Sequence, residues 1–247
     1  MEKINFDIET RYLPYAENLK RAFYGGAGAF LFFFVALPPA VVILLPGLAA
    51  TPWFVAAVSL FSQLGLGVST LAFLSGGRNP AAMLELNGWK NEYLKTGAMW
   101  GIVMLLIVAG IQGSFVQVGE WFGFDMKTPG AIEQLILRMG WGGVIWLAIT
   151  AILVAPVVEE IFFRRVMFGF LANWCSWKPA MVITSLGFAL IHADFRQLPG
   201  LFVLGMGFQL ICLRSGSLYP AIIMHAVNNF IAMTLLILAK YFQIGGL

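Results

Sequence analysis

Charge is scarce in this chain. Its 247 residues include 15 Lys and Arg and 12 Asp and Glu, so 11% are charged, against about 25% in soluble domains. With 60% hydrophobic residues and a mean hydropathy of +0.85, too few polar side chains remain to build a water-facing surface, which excludes a soluble globular protein. The bilayer must be the solvent. The two cysteines, Cys175 and Cys212, are too few for a disulfide framework and lack metal-type spacing, so they read as packing residues. The net charge of +3 is scattered over loops rather than gathered in a patch, which excludes nucleic acid as a partner. The first 21 residues are charged throughout, with no apolar stretch before a small-residue cleavage site, so no cleaved signal peptide is expected. Repeats of 20 to 50 residues and low-complexity tracts are also missing.

Long apolar runs are what the sequence does have. From Ala22 to Gly77 no residue is charged, a stretch of about 84 Å if helical, more than two crossings of a ~30 Å hydrocarbon core. Spans are expected at Phe23–Leu45 and Pro52–Ser75, with Pro38 and Pro39 kinking the first rather than ending it. Others follow at Thr96–Val118, from Gly140 through Val158 and on toward Trp174, and at Pro179–Ala193, Pro199–Leu213 and Leu218–Ala239. The fold class is therefore all-α, a polytopic membrane protein of about seven transmembrane helices, with an eighth left open, around a cavity in the helical core. Residues 1–22 read as a cytoplasmic N-terminal segment and, more narrowly, as a solvated tail rather than an interfacial helix. Residues 23–139 hold the N-terminal helices, and 140–247 the catalytic transmembrane core. The positive-inside rule puts the N-terminus in the cytoplasm, with Lys3, Arg11, Lys20, Arg21, Arg78, Lys90, Lys95, Arg164, Arg165, Lys178 and Arg214 inside and Lys127, Arg138, Arg196 and Lys240 outside. Gly97 and Gly101 have the small-xxx-small spacing of close helix packing.

Ten of the twelve acidic residues lie in tails or loops, and only Glu159 and Glu160 interrupt an otherwise continuing membrane helix. A carboxylate at membrane depth costs about 2.5–3.5 kcal/mol on the lenient insertion scale, so such a residue faces a cavity or a partner and is functional by default. An interfacial helix end is the structural alternative. Glu160 and Arg164 stand at i and i+4 in the favourable acid-before-base order and can pair along one face. Glu159 is turned about 100° away, and an unpaired carboxylate in a low-dielectric cavity suits a general base. The two histidines, His192 and His225, fall in different apolar spans, where a packing role is the alternative. His225 and Asn229 share a helical face, and Asn228 points elsewhere. Counted from the cytoplasmic helix ends, His192 lies about 20 Å deep, Glu159 about 22 Å and His225 about 12 Å, so convergence needs helix tilt and a cavity opening toward the cytoplasm.

Three short patterns then stand in order on consecutive apolar helices: Glu159-Glu160-Ile-Phe-Phe-Arg164, Phe188-Ala-Leu-Ile-His192 and His225-Ala-Val-Asn-Asn229. They look like the EExxxR, FxxxH and HxxxN motifs, and from Gly140 to Ile231 the chain resembles the CAAX protease and bacteriocin-processing family. The resemblance implies an all-helical intramembrane endopeptidase akin to the Ras-converting prenyl protease, which removes the last three residues after a lipidated cysteine. It implies Glu159 as general base, His192 as its partner in activating water, His225 with Asn229 as the oxyanion-stabilising pair, and Glu160 with Arg164 as the support of the base. Such a set supplies an activated water and donors where oxyanion charge develops. Phe162, Phe163 and Phe188 could line an apolar approach for an acyl or prenyl chain, with lipid-facing packing the alternative.

Glu159, His192 and His225 also form a possible zinc set with an open fourth position. No H-E-x-x-H helix accompanies them, and Glu160, committed to Arg164, is poorly placed to be a separate base, so a glutamate mechanism without cofactor is favoured and zinc is the alternative. The expected partners are the lipid bilayer and a peptide or lipidated protein substrate, in the plasma or inner membrane if the source is bacterial. Two other classes compete: a non-catalytic scaffold or immunity-type membrane protein, and a proton-coupled transporter. Intact motifs argue against the first. The second predicts polar groups threading both membrane halves and paired broken helices, and neither is evident.

Overall fold

Packing in this chain is turned inside out relative to a soluble protein, and the reason is the scarcity of charge. The computed structural model describes residues 12–49, 51, 53–75, 84–86, 88–126 and 130–242. Within them, Gln63, Thr70, Thr150, Glu159, Glu160, Arg164, Arg165, Thr184, Ser185, Gln209, His225 and Asn228 are buried. Leu31, Phe32, Ile43, Leu44, Phe61, Leu106 and Leu153 stand exposed. Against lipid an exposed leucine costs nothing, whereas a polar group must find a partner inside the bundle.

Among the described residues eight helices of eight residues or more follow in chain order: α1 (Ala16–Leu44), α2 (Phe54–Ser75), α3 (Asn91–Trp121), α4 (Ala131–Arg138), α5 (Trp141–Ala172), α6 (Trp177–Leu190), α7 (Leu198–Ser215) and α8 (Tyr219–Tyr241). Among the described residues, α1, α2, α3, α5, α7 and α8 are long and apolar enough to cross a membrane, so six candidate spans replace the expected seven. The missing one is α6. Its 14 residues reach about 21 Å at 1.5 Å per residue, short of a hydrocarbon core. The short amphipathic α4, between the third and fourth spans, was not expected.

The principal packed pairs are α3 with α8, α1 with α2, and α6 with α7. A Cβ on Gly97 would come within 2.7 Å of the Pro220 carbonyl oxygen, and one on Gly101 within 2.9 Å of Val227, so the small-xxx-small pair does what its spacing implied and lets α3 lie against α8. The segment Tyr12–Ala22 is not a solvated tail. Tyr12, Leu19 and Ala22 are fully buried, Tyr12 meets Phe168 edge-on, and Asn18 donates to the Leu74 carbonyl. Lys3, Arg11, Arg78, Lys127 and the rest of the expected N-terminal segment lie outside the described residues.

Among the described residues two helices contain wide π turns, and in each of them proline explains one. In α1 the segment Leu31–Ala36 is π, and Leu37 N–H bonds Phe32 O, five residues back. The next donor would be residue 38, a proline without N–H, so Phe33 O loses its helical partner. It accepts Ser62 Oγ from α2 at 2.8 Å instead. In α5 the segment Thr150–Val154 is π, and Ala155 N–H bonds Thr150 O. Pro156 cannot donate to Ala151 O, which accepts Asn229 Nδ2 from α8 at 2.7 Å. Both helices continue through their prolines, as was expected of Pro38 and Pro39; Pro156 had not been singled out. A second π segment in α5, Ile161–Met167, begins directly after Glu160.

Candidate active site

The two glutamates sit on the short α-helical stretch Ala155–Glu160 between the two π segments of α5. Glu160 is completely buried, with Oε2 2.9 Å from Arg164 Nε and Oε1 2.9 Å from His225 Nδ1. A carboxylate only accepts, so the His225 proton on this side is on Nδ1. Phe208 stacks on the His225 ring at 4.9 Å and Phe188 meets it edge-on at 5.8 Å, which fixes the ring plane. Nε2 is thereby aimed at Glu159 Oε2, 3.9 Å away. That is beyond direct hydrogen-bond reach, and Glu159 Oε2 is buried with no partner.

Glu159 was expected to be unpaired, and it is not. Gln63 Nε2 on α2 donates to its other oxygen at 2.7 Å. The signal for Gln63 was present in the sequence as the one amide side chain in the uncharged run from Ala22 to Gly77. α2 reaches this position because Gly67, one turn on, lies against Val158, where a Cβ would stand 3.0 Å from a methyl group.

Arg164 is held by aromatic faces, its guanidinium carbon 4.8 Å from the Phe188 ring centre, 5.4 Å from Phe208 and 5.8 Å from Phe163. Only Nε is paired, and both terminal nitrogens are buried without a hydrogen bond. Phe162, Phe163 and Phe188 are all buried. Phe162 stacks on Phe23, while Phe163 and Phe188 meet edge-on beside Arg164, so the three pack in the core. The neighbouring Arg165 pairs with Glu85 at 2.9 Å, lies over Tyr12 at 4.6 Å, and so ties α5 to the 84–86 segment.

His192 lies in the turn after α6 rather than inside a helix, and it is exposed. Its Nδ1 is 2.8 Å from Phe188 O. A carbonyl only accepts, so Nδ1 carries a proton. Phe188, 4.9 Å from the His192 ring, stands between the two histidines. Asn229 faces Ala151 O as described, and Asn228 joins α8 to α3 through Gly101 O at 3.1 Å. The loop that follows His192 is stapled: Asp194 accepts from Arg196 N–H and Nη2 and from Gln197 Nε2, each at 3.0 Å. Arg196 also reaches Glu133, at 3.3 Å. Burial opposes ionisation of Asp194, but the donors from Arg196 and Gln197 outweigh it and hold its carboxyl below the usual range.

The structure thus brings Glu159, Glu160, Arg164 and His225 together and leaves His192 and Asn229 at the margin. These side chains are closely packed, with Glu159 7% and His225 3% exposed. Among the described residues no three His, Cys, Asp or Glu side chains are arranged to hold a metal ion, so Glu159, His192 and His225 do not fit a zinc site here.

Residues 141–231 match the family model for Rce1-like, type II CAAX prenyl endopeptidases. The chain is 28% identical over 146 residues to YdiL of Bacillus subtilis (strain 168), provisionally named a membrane peptidase, across 58% of this chain and 57% of that protein. It is 33% identical over 159 residues to the membrane-embedded CAAX protease MroQ of Staphylococcus aureus (strain USA300), across 62% of each. The match thus spans about three-fifths of the length of these curated relatives, and no solved structure matches. The matched segment starts at the first residue of α5 and ends two residues past Asn229, so the likeness to Rce1-like type II CAAX prenyl endopeptidases covers the stretch that carries Glu159, His192, His225 and Asn229.

Proposed function

We propose that this chain is an intramembrane endopeptidase that hydrolyses a peptide bond near the end of a membrane-associated peptide or protein, with a prenylated CAAX-type terminus as the substrate class. The observation that carries the reading is the facing pair Glu159 Oε2 and His225 Nε2 at 3.9 Å, each side chain anchored from behind, by Gln63 and by Glu160. A water bonded to both satisfies the orphaned carboxylate oxygen and stands where Glu159 can take its proton. The hydroxide adds to the scissile carbonyl carbon, charge develops on the carbonyl oxygen, and collapse of this adduct breaks the C–N bond as Glu159 passes the proton it took from water to the leaving amine. With His225 protonated, the buried set Glu159, Glu160, Arg164 and His225 has no net charge, and Nε2–H is a donor for that oxyanion. Asn229 supplies a second donor with the N–H not used by Ala151. His192, its Nδ1–H held by Phe188 O, offers Nε2 as an acceptor in the activation of water. Glu160 and Arg164 support the site through His225.

The seventh crossing belongs to this reading as well. Glu85 and Leu86 accept from Ser217 and Tyr219, Arg165 lies with them, and Lys240 bonds Leu137 O while Arg196 bonds Glu133. Such contacts are what the alternate loops of a seven-crossing chain with its N-terminus in the cytoplasm would make, with α6 crossing together with the turns at its ends and the substrate reaching a core cavity that opens as the helices part.

The test compares peptide termini in membranes of cells carrying the parent chain or Glu159→Gln at matched expression. Termini found only with the parent are expected, next to a lipidated cysteine where the substrate is CAAX-type. Identical termini across growth conditions, with both proteins inserted, would overturn the reading in favour of a scaffold.

A further inference from the structure

Gln63 is the residue of the N-terminal half that touches the proposed base, and it lies outside the segment that matches the family. Its Nε2 is 2.7 Å from Glu159 Oε1, Gln63 is 7% exposed, and its own Oε1 is buried without a partner. A buried amide with one unused acceptor has been placed for its donor, since the same volume of leucine would leave no orphan. The approach is prepared by the residues around it. Gly67 admits Val158, and a Cβ on Gly26 would meet Phe162 at 2.5 Å and Thr70 Oγ1 at 3.0 Å, so α1, α2 and α5 meet closely along the face that carries Gln63.

We infer that Gln63 is a positioning residue for Glu159: its amide holds Oε1, so that Oε2 is the oxygen presented to His225 and to the attacking water. The inference rests on the reading of Glu159 as the base. An ionised carboxylate can rotate between two equivalent oxygens, and one 2.7 Å donor removes that freedom. Positioning at this level is what separates a carboxylate near a substrate from one aligned with it.

The experiment uses the full chain in lipid nanodiscs. Gln63→Leu is expected to lower kcat on a farnesylated, internally quenched CAAX-type peptide at least tenfold, the scale of one hydrogen bond to a charged group, with KM within about twofold. Gln63→Glu is expected to rise relative to the parent as pH falls, because one proton shared between two carboxylates rebuilds the bond. A purely structural Gln63 gives a flat ratio. A second readout needs no substrate: Glu159, freed from its donor, is expected to react with dicyclohexylcarbodiimide about tenfold faster in Gln63→Leu, as read by peptide mass spectrometry. Unchanged labelling, or unchanged kcat in a protein whose Glu159→Gln variant is dead, would overturn the inference alone. Full activity of Glu159→Gln alongside altered labelling would instead overturn the base reading and leave the contact standing.

Discussion

Replacing Arg164 with leucine removes the cation from a fully buried pair and leaves Glu160, with Oε2 unpartnered, at a position without solvent. Breaking a buried ion pair from one side costs about 3–5 kcal/mol, because the remaining charge stays desolvated. The three aromatic faces around the guanidinium lose their cation as well, although leucine keeps much of the apolar contact. At about 2–4 °C per kcal/mol for a chain of this size, the unfolding midpoint should fall by roughly 6–20 °C. Cys212, 2% exposed in the core, provides the assay: in a Cys175→Ser background it is the single thiol, and a thiol-reactive coumarin maleimide labels it as the detergent-solubilised protein unfolds. Adding Glu160→Gln should recover part of the loss, since glutamine removes the stranded charge and can still accept from His225 Nδ1. A midpoint within about 2 °C of the parent in Arg164→Leu, at equal expression, would refute the view that this pair supports the core.

Gly97→Val should lower the same midpoint, consistent with about 1–3 kcal/mol of overpacking, because its Cβ would meet the Pro220 carbonyl, a backbone atom that cannot turn aside. Gly110→Val, with nothing within 4 Å on the same helix, should leave it nearly unchanged. Asp194 predicts a pH effect confined to the His192 loop: its folded carboxyl titrates below the usual range, so its stabilisation is complete above the unfolded value and is lost as pH falls through the folded one. Amide exchange at Arg196, corrected for the intrinsic rate, should therefore accelerate below about pH 4, and Asp194→Asn should show the faster rate at neutral pH.

Apolar runs and prolines were enough to locate six spans, though α1 and α3 begin earlier than their apolar runs, at Ala16 and Asn91, and to carry the fourth past Glu160, because span length is dictated by the bilayer. The same reasoning overran at α6, where the apolar run continues but the helix ends at Leu190 and His192 falls in the following turn. It erred at Tyr12–Ala22 too, where mixed charge suggested solvation while Tyr12 and Leu19 fill the space above Gly169. In the site, Glu160 with Arg164 was legible from i,i+4 spacing, a local rule. Glu160 with His225 and Glu159 with Gln63 were not, since pairing between helices depends on rotation and tilt that no single helix encodes. The supporting pair was assigned to Glu159, and its contact runs to His225.

Pro38 and Pro156 each disable a donor, and each absence becomes an attachment point on a different helix. A missing N–H is thus converted into a long-range bond, so the fate of Ala151 O is written in two places in the chain, at Pro156 and at Asn229. Such positions should change together or not at all. Restoring the donor, as in Pro156→Ala, would let α5 close its own ladder and release Asn229 from tethering duty, which makes the proline the means by which one helix dictates where a residue on another must point.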